Sequence, residues 1–196
     1  MEDVKEFKRA LRKEKIAARE ALADEDRIEW SRSICRRVLE TEEYKKANVI
    51  FAYKWYKGEV KLDALEAQAK ADGKRLVYPL CISNTEMEAI EPGDEEGAWT
   101  DSGYKGIMEP VREKGVIVAP EDIDLVVAPC SAFDDECRRL GQGGGFYDRY
   151  LPKCSDADMI AVAFEVQRAE EIPTDEYDFA VPAVATEKRL IRRKTK

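Results

Sequence analysis

Short runs of β-branched and small apolar residues recur along the chain, and between them the apolar residues change to helical spacing. NVIFAY (48–53), KRLVYPL (74–80), DLVVAP (124–129), MIAVAFE (159–165) and VPAVATE (181–187) read as strands, and EMEAIE (86–91) alternates like one more. Val4, Phe7, Leu11, Ala17 and Ala18 fall near helical spacing through residues 3–22. Asp24 stands where it could cap a second helix bearing Ile28, Ile34, Cys35, Val38 and Leu39. KLDALEAQAKADG (61–73) reads as a third, stopped by Gly73. Strands apolar on both faces must be covered on both faces, and parallel neighbours need a crossover between them. The alternation therefore predicts an α/β layered domain with a largely parallel sheet. The chain of 196 residues suits one domain spanning 1–196, with no internal repeat or linker. The Gly- and Pro-bearing stretch 92–115 reads as long functional loops.

Composition removes several function classes. No apolar run approaches bilayer length, and MEDVKEFKRALRKEK has no apolar signal core, so a cytoplasmic protein without a membrane partner is expected. The net charge of −8 argues against a nucleic-acid partner held by charge. The basic end KRLIRRKTK reads as a solvated tail. Five cysteines, at 35, 81, 130, 137 and 154, form no C-x-x-C pair, so neither a disulfide framework nor a zinc site is indicated. Cys130, ending an apolar run, reads as a small buried residue. The chain has no histidine. That excludes Ser-His and Cys-His nucleophile pairs and any His general base, and leaves carboxylates, Lys, Arg, Tyr, backbone amides or a bound ion.

LGQGGGFYDRY (140–150) is the most specific segment. Gly141, Gly143, Gly144 and Gly145 stand within five positions, about a dozen residues past the strand DLVVAP. In α/β sheets ligands sit at the carboxyl ends of strands, and a glycine loop there can turn consecutive N–H groups toward a phosphate. Arg138, Arg139 and Arg149 flank it, and Asp148 offers a carboxylate for the Mg²⁺ that accompanies nucleotide phosphates. Neither G-x-G-x-x-G nor the P-loop pattern is present. A tight surface turn is the alternative reading. In KRALR (8–12), Lys8 and Arg12 lie one helical turn apart, and either clamp a polyphosphate or face solvent. In KWYKGEV (54–60), Trp55 and Tyr56 either stack on a flat ring or simply end a strand, and Glu59 could bond the ring's polar edge. In GIMEP (106–110), Glu109 either serves a ring nitrogen or caps a turn.

Together these segments resemble the 5-formyltetrahydrofolate cyclo-ligase family, also called 5,10-methenyltetrahydrofolate synthetases. The likeness runs nearly end to end, through KRALR, GEV, GKRLVYP, GIMEP, DLVVAPCSAFDDECRRLGQGGGFYDRYL and IPTDEYDFAVPAVATE. The block R-L-G-x-G-x-G-[FY]-Y-D-R is its most specific part, and some relatives carry Lys where Gly144 stands. The resemblance implies a three-layer α/β/α sandwich like that of ribose-phosphate isomerases. It implies ATP- and Mg²⁺-dependent conversion of 5-formyltetrahydrofolate to 5,10-methenyltetrahydrofolate by a monomer acting on small molecules. ATP would lie between Lys8, Arg9, Ala10, Leu11 and Arg12 on one side and the loop Arg139, Leu140, Gly141, Gln142, Gly143, Gly144, Gly145, Phe146 and Tyr147 on the other. The folate would meet Lys54, Glu59, Glu109 and the loop from Gln142 to Phe146. Asp148 and Asp178 would hold Mg²⁺, and Lys8, Arg12, Tyr147 and Arg149 would serve the chemistry. Two other classes compete with this enzyme: a non-catalytic nucleotide or folate binder, and a ligand-sensing regulator of the same fold.

Overall fold

The computed structural model describes residues 2–101 and 103–194. The elements run α1 (Glu2–Glu20), α2 (Asp24–Leu39), α3 (Glu42–Lys46), β1 (Val49–Phe51), α4 (Asp63–Ala71), β2 (Arg75–Cys81), β3 (Met87–Pro92), β4 (Trp99–Thr100), β5 (Glu109–Pro110) and β6 (Gly115–Val118). They continue with β7 (Leu125–Pro129), β8 (Ala132–Phe133), β9 (Arg139–Leu140), α5 (Phe146–Tyr150), β10 (Asp158–Val162), β11 (Ala183–Ala185) and β12 (Leu190–Arg192). Eight strands form one sheet in the order β12-β11-β10-β7-β1-β2-β3-β6. The run β11, β10, β7, β1 and β2 is parallel, while β12, β3 and β6 join antiparallel. The strand–helix alternation of the sequence thus gives the expected mixed, mostly parallel sheet.

Side-chain alternation sends each strand's residues to two separate cores. Ile50, Leu76, Leu125, Val127 and Ile160 pack with Ile34, Cys35 and Val38 of α2 and Leu65 and Ala69 of α4. Phe51, Val77, Val126, Ala128 and Ala161 face the other way, against Tyr150 of α5 and Leu151 and Cys154 of the turn after it. The second covering layer is therefore one short helix and turns. Cys130 is buried as expected. Helix α1 covers neither face. Its Leu11 joins Ala132, Leu140, Ala169 and Ile172, so the helix lies across loops that leave the carboxyl ends of β7 and β10. That crossing brings the N-terminus to the end of the sheet where ligands sit.

Four local expectations are corrected. The basic end KRLIRRKTK is not simply a solvated tail, because Leu190–Arg192 pairs with β11 as the antiparallel strand β12. Ala23, not Asp24, occupies the cap of α2, and it makes no side-chain cap bond. Asp24 is the first helical residue, where its charge complements the helix dipole and pairs with Arg27. The run 159–165 leaves the sheet at Val162, because the Phe164 N–H turns to Gln167 Oε1 at 3.0 Å. The stretch 92–115 is not all loop: β4 and β5 form a small antiparallel ribbon within it. Among the described residues no helix is long and apolar enough to cross a membrane.

Candidate functional site

The ribbon of β8 and β9 delivers the chain into the glycine loop, and the loop ends on α5. Gly143 (φ +96°) and Gly145 (φ +65°), the residue capping α5, adopt left-handed backbone that other residues enter only at a cost. Arginines brace the loop from two directions. Arg12 Nε donates to the Gly141 carbonyl at 2.7 Å, and a Cβ on Gly143 would stand 3.5 Å from the Arg12 guanidinium carbon. Arg149 donates to the Gly144 carbonyl at 2.5 Å and to the Thr85 carbonyl at 2.7 Å. A Cβ on Gly145 would stand 2.7 Å from Arg149 Nη1. The loop is a held structure and not a flexible surface turn.

Charges gather on the Arg12 side. The buried Lys8 Nζ donates to Asp175 Oδ2 at 2.8 Å and also to Asp178. Burial works against the Lys8 charge, but the two carboxylates outweigh it and raise its pKa. Burial lowers the Arg12 pKa, opposed by Asp148 and Asp178, and a guanidinium stays charged regardless. The buried Arg139 holds Asp148 Oδ1 at 2.8 Å, and the Phe179 N–H reaches the same oxygen at 3.4 Å. Asp148 Oδ2 and Asp178 Oδ1 accept no hydrogen bond among the described residues. No three acidic, Cys or His side chains among the described residues cluster as a metal cage. Mg²⁺ is commonly held by one or two carboxylates, with waters and phosphate oxygens completing its octahedron. Two carboxylates with spare oxygens beside the glycine loop fit that ion and not a metal needing an all-protein shell.

The loop also walls a cavity, which Arg139 and Asp148 line with it. Tyr53, Met87, Ile107, Met108, Phe146 and Tyr147 give it apolar and aromatic surface. Two buried carboxylates, Glu59 and Glu109, are each 6% exposed. Glu59 Oε1 accepts from Gln142 Nε2 at 2.7 Å, and Oε2 accepts from the Tyr56 N–H at 3.0 Å. Burial raises the Glu59 pKa, while Arg19, Gln142 and the Tyr56 N–H work to lower it. Glu109 Oε1 accepts from the Cys81 N–H at 3.3 Å. Burial, then Glu109, pushes the Cys81 thiol up to about 12, so it stays protonated. A Cβ on Gly103 would stand 2.6 Å from Glu109 Oε2, which ties that glycine to this carboxylate. The Tyr147 hydroxyl is buried without a hydrogen-bond partner among the described residues, and burial raises its pKa. An unsatisfied buried hydroxyl costs free energy unless a ligand completes it.

The fold assembles most, not all, of the residues singled out by sequence. Lys8, Arg12 and Asp178 gather near the loop but off the cavity, and Glu59, Glu109, Gln142, Tyr147 and Asp148 line it. Leu11 and Leu140 seat α1 on the ribbon, while Arg9 and Ala10 are exposed. Arg138 is occupied outside the site by Asp134 and Glu171. Arg149 is exposed and braces the loop from beyond the cavity wall. Lys54 lines the cavity, but its ammonium binds both Glu66 oxygens, at 2.9 and 2.7 Å, over the Tyr78 and Trp99 rings. Trp55 and Tyr56 line no part of the cavity, and Trp55 lies under Lys61. Arg19, which sequence reasoning passed over, is 1% exposed near Glu59. Its signal was spacing: Lys8, Arg12, Lys15 and Arg19 repeat at intervals of four, three and four along one face of α1.

The 5-formyltetrahydrofolate cyclo-ligase family model matches residues 4–187. A probable 5-formyltetrahydrofolate cyclo-ligase of Schizosaccharomyces pombe is 33% identical, over 87% of this chain and 90% of its own. The 5-formyltetrahydrofolate cyclo-ligase of Escherichia coli K12 is 26% identical over 88% and 96%. The solved structure of Aquifex aeolicus 5,10-methenyltetrahydrofolate synthetase superposes with a TM-score of 0.83 at 33% identity, covering 97% of this chain and 94% of that one. By the reach of the family model and the likeness of sequence and fold, the chain belongs to the 5-formyltetrahydrofolate cyclo-ligase family.

Proposed function

We propose that this chain closes 5-formyltetrahydrofolate to 5,10-methenyltetrahydrofolate at the expense of ATP, with Mg²⁺, releasing ADP and phosphate. The observation that carries the reading is what the glycine loop joins. Arg12, which lines no part of the cavity, bonds the loop's Gly141 carbonyl, and the same loop walls the apolar cavity that holds Glu59 and Glu109. The arrangement suits a phosphate chain and a flat ring rich in N–H groups meeting over one strip of glycine backbone. The N5 formyl carbonyl is a poor electrophile, so its oxygen must first become a leaving group. That oxygen attacks the γ-phosphorus, the bond to the bridging oxygen breaks, and ADP departs with the electron pair. N10 then attacks the carbon of the imino-phosphate, loses its proton, and inorganic phosphate leaves with the former formyl oxygen.

Such a reaction asks for position and charge neutralisation and needs no strong base, which a histidine-free site can supply. Loop amides and Arg12 would cradle the phosphates, and Lys8 would leave its carboxylates for the nucleotide. Mg²⁺, held by Asp148 and Asp178 with the phosphates, would neutralise charge on the departing oxygens. Glu59 and Glu109 would accept hydrogen bonds from the ring edge, and the Tyr147 hydroxyl would gain its missing partner. The test is ADP and methenyl product formed from ATP with and without 5-formyltetrahydrofolate. Equal amounts of both products should appear only with the folate. A binder that retains both ligands without ADP, or a regulator indifferent to ATP, would replace this reading.

Asp148→Asn should raise the Mg²⁺ concentration needed for half-maximal rate and lower kcat by about 10-fold or more, with little change in the folate KM. It should also lower the melting temperature, because buried Arg139 loses its carboxylate. Wild-type activity at saturating Mg²⁺ would remove Asp148 from the metal site.

A further inference from the structure

Arg19 closes the site face of α1, and its surroundings are unusual for an arginine. The side chain is 1% exposed, and its Nη2 donates to the Lys57 carbonyl at 2.8 Å. Among the described residues Nε and Nη1 have no hydrogen-bond partner, and Nη1 forms a long ion pair with Glu59 Oε1 at 3.8 Å. A buried guanidinium with idle N–H groups is costly, so what it does for a neighbour must be sought. The neighbour is a buried carboxylate that reaches Gln142 of the glycine loop at 2.7 Å. Arg19 lies eleven residues after Lys8, three helical turns and ~16 Å along the same face. One rigid helix therefore carries Lys8 and Arg12 at the phosphate end and Arg19 at the ring end.

We propose that Arg19 is a positioning residue that keeps Glu59 an ionised, oriented acceptor for the folate ring, and through Gln142 ties that acceptor to the glycine loop. The inference rests on the folate reading of the cavity given above. Arg19 itself touches no reacting atom and lines no part of the cavity. The groups facing Glu59 are Arg19 from α1, Gln142 from the loop, the Tyr56 N–H, the Tyr53 and Tyr147 hydroxyls, and the Cys130 thiol. Of these Arg19 alone is a cation. Burial already raises the Glu59 pKa, and removing Arg19 raises it further. Glu59 would then be protonated at higher pH than in the native protein, and would lose acceptor capacity as pH falls through that new value.

The experiment compares wild type, Arg19→Lys and Arg19→Met, with KM for 5-formyltetrahydrofolate and for ATP measured from roughly pH 6 to 9, the span across which a raised carboxyl titrates. In Arg19→Met the folate KM should rise on the order of tenfold at neutral pH while the ATP KM stays within about twofold. The folate KM should recover as pH rises, and Arg19→Lys should restore part of the loss. A merely structural role would move both KM values or the melting temperature alone, and would give no recovery with pH. An unchanged folate KM, or an equal loss at all pH values, overturns the inference. If Arg19→Met does not fold, Arg19→Met/Glu59→Gln decides. Recovery of a cooperative melting transition means that Arg19 serves the Glu59 charge, and an unfolded double variant means that it does not. Wild type that makes no methenyl product would instead defeat the folate reading, independently of Arg19.

Discussion

Joint replacement of Lys8 and Arg12 by alanine should lower kcat/KM by about 10³-fold or more, and it should do so without loss of folate binding. The estimate follows from cations removed where charge moves from nucleophile to leaving group, each typically contributing several kcal/mol to the transition state. In the proposed complex both would face the phosphates, Lys8 after leaving its carboxylates. Lys8 is buried against Asp175 and Asp178, and Arg12 is bonded to the Gly141 carbonyl. Neither Lys8 nor Arg12 lines the cavity that holds Glu59, so folate affinity by calorimetry should change little. An isotope shows whether the loss is of chemistry. Folate with heavy oxygen in the formyl group should give inorganic phosphate bearing one label per turnover in wild type. The double variant should lose label transfer and ring closure together. Unlabelled phosphate from wild type, made alongside normal methenyl product, would overturn attack by the formyl oxygen, because water would then have supplied the oxygen.

Gly143→Val should weaken ATP binding by about 100-fold or more while the protein still melts cooperatively. Two independent costs coincide at this position. A φ of +96° is strained for a β-branched residue, typically by about 1–3 kcal/mol. The new Cβ would also stand 3.5 Å from the Arg12 guanidinium carbon, so the further methyls of valine would push Arg12 from the Gly141 carbonyl. Gly143 is exposed, so the strain should be relieved by movement of the loop and not by unfolding of the sheet. Gly143→Ala should show the same loss in smaller degree. A folded valine variant with native ATP affinity in calorimetry would dismiss the glycine loop as the phosphate cradle.

Sequence alone marked six of the sheet's eight strands, missing β6 and also β12, which lies in the run read as a solvated tail. Buried parallel strands must be apolar on both faces, and they leave a mark in six or seven consecutive residues that needs no knowledge of neighbours. NVIFAY and DLVVAP lie side by side as β1 and β7, with Phe51 paired to Val126. The glycine loop was equally legible, because a need for positive φ is met by glycine whatever surrounds it. Element ends were less so. Val162 closes its strand because the Gln167 side chain takes the Phe164 N–H, a contact that apolar pattern does not encode.

Only the tertiary structure decided what each charged and aromatic side chain does. Helix α1 carries cations on several faces, and its docking across the loops after β7 and β10 selects Lys8, Arg12 and Arg19 while leaving Arg9 exposed. Arg149 is adjacent in sequence to Asp148, yet its guanidinium braces the loop from outside the cavity. Trp55 follows Lys54 directly, yet one lines the cavity and the other does not. Local spacing determines which residues share a face. Whether that face meets solvent, a carboxylate or a cavity depends on segments far apart in the chain, such as Arg19, Glu59 and Gln142, which meet only when the sheet is complete.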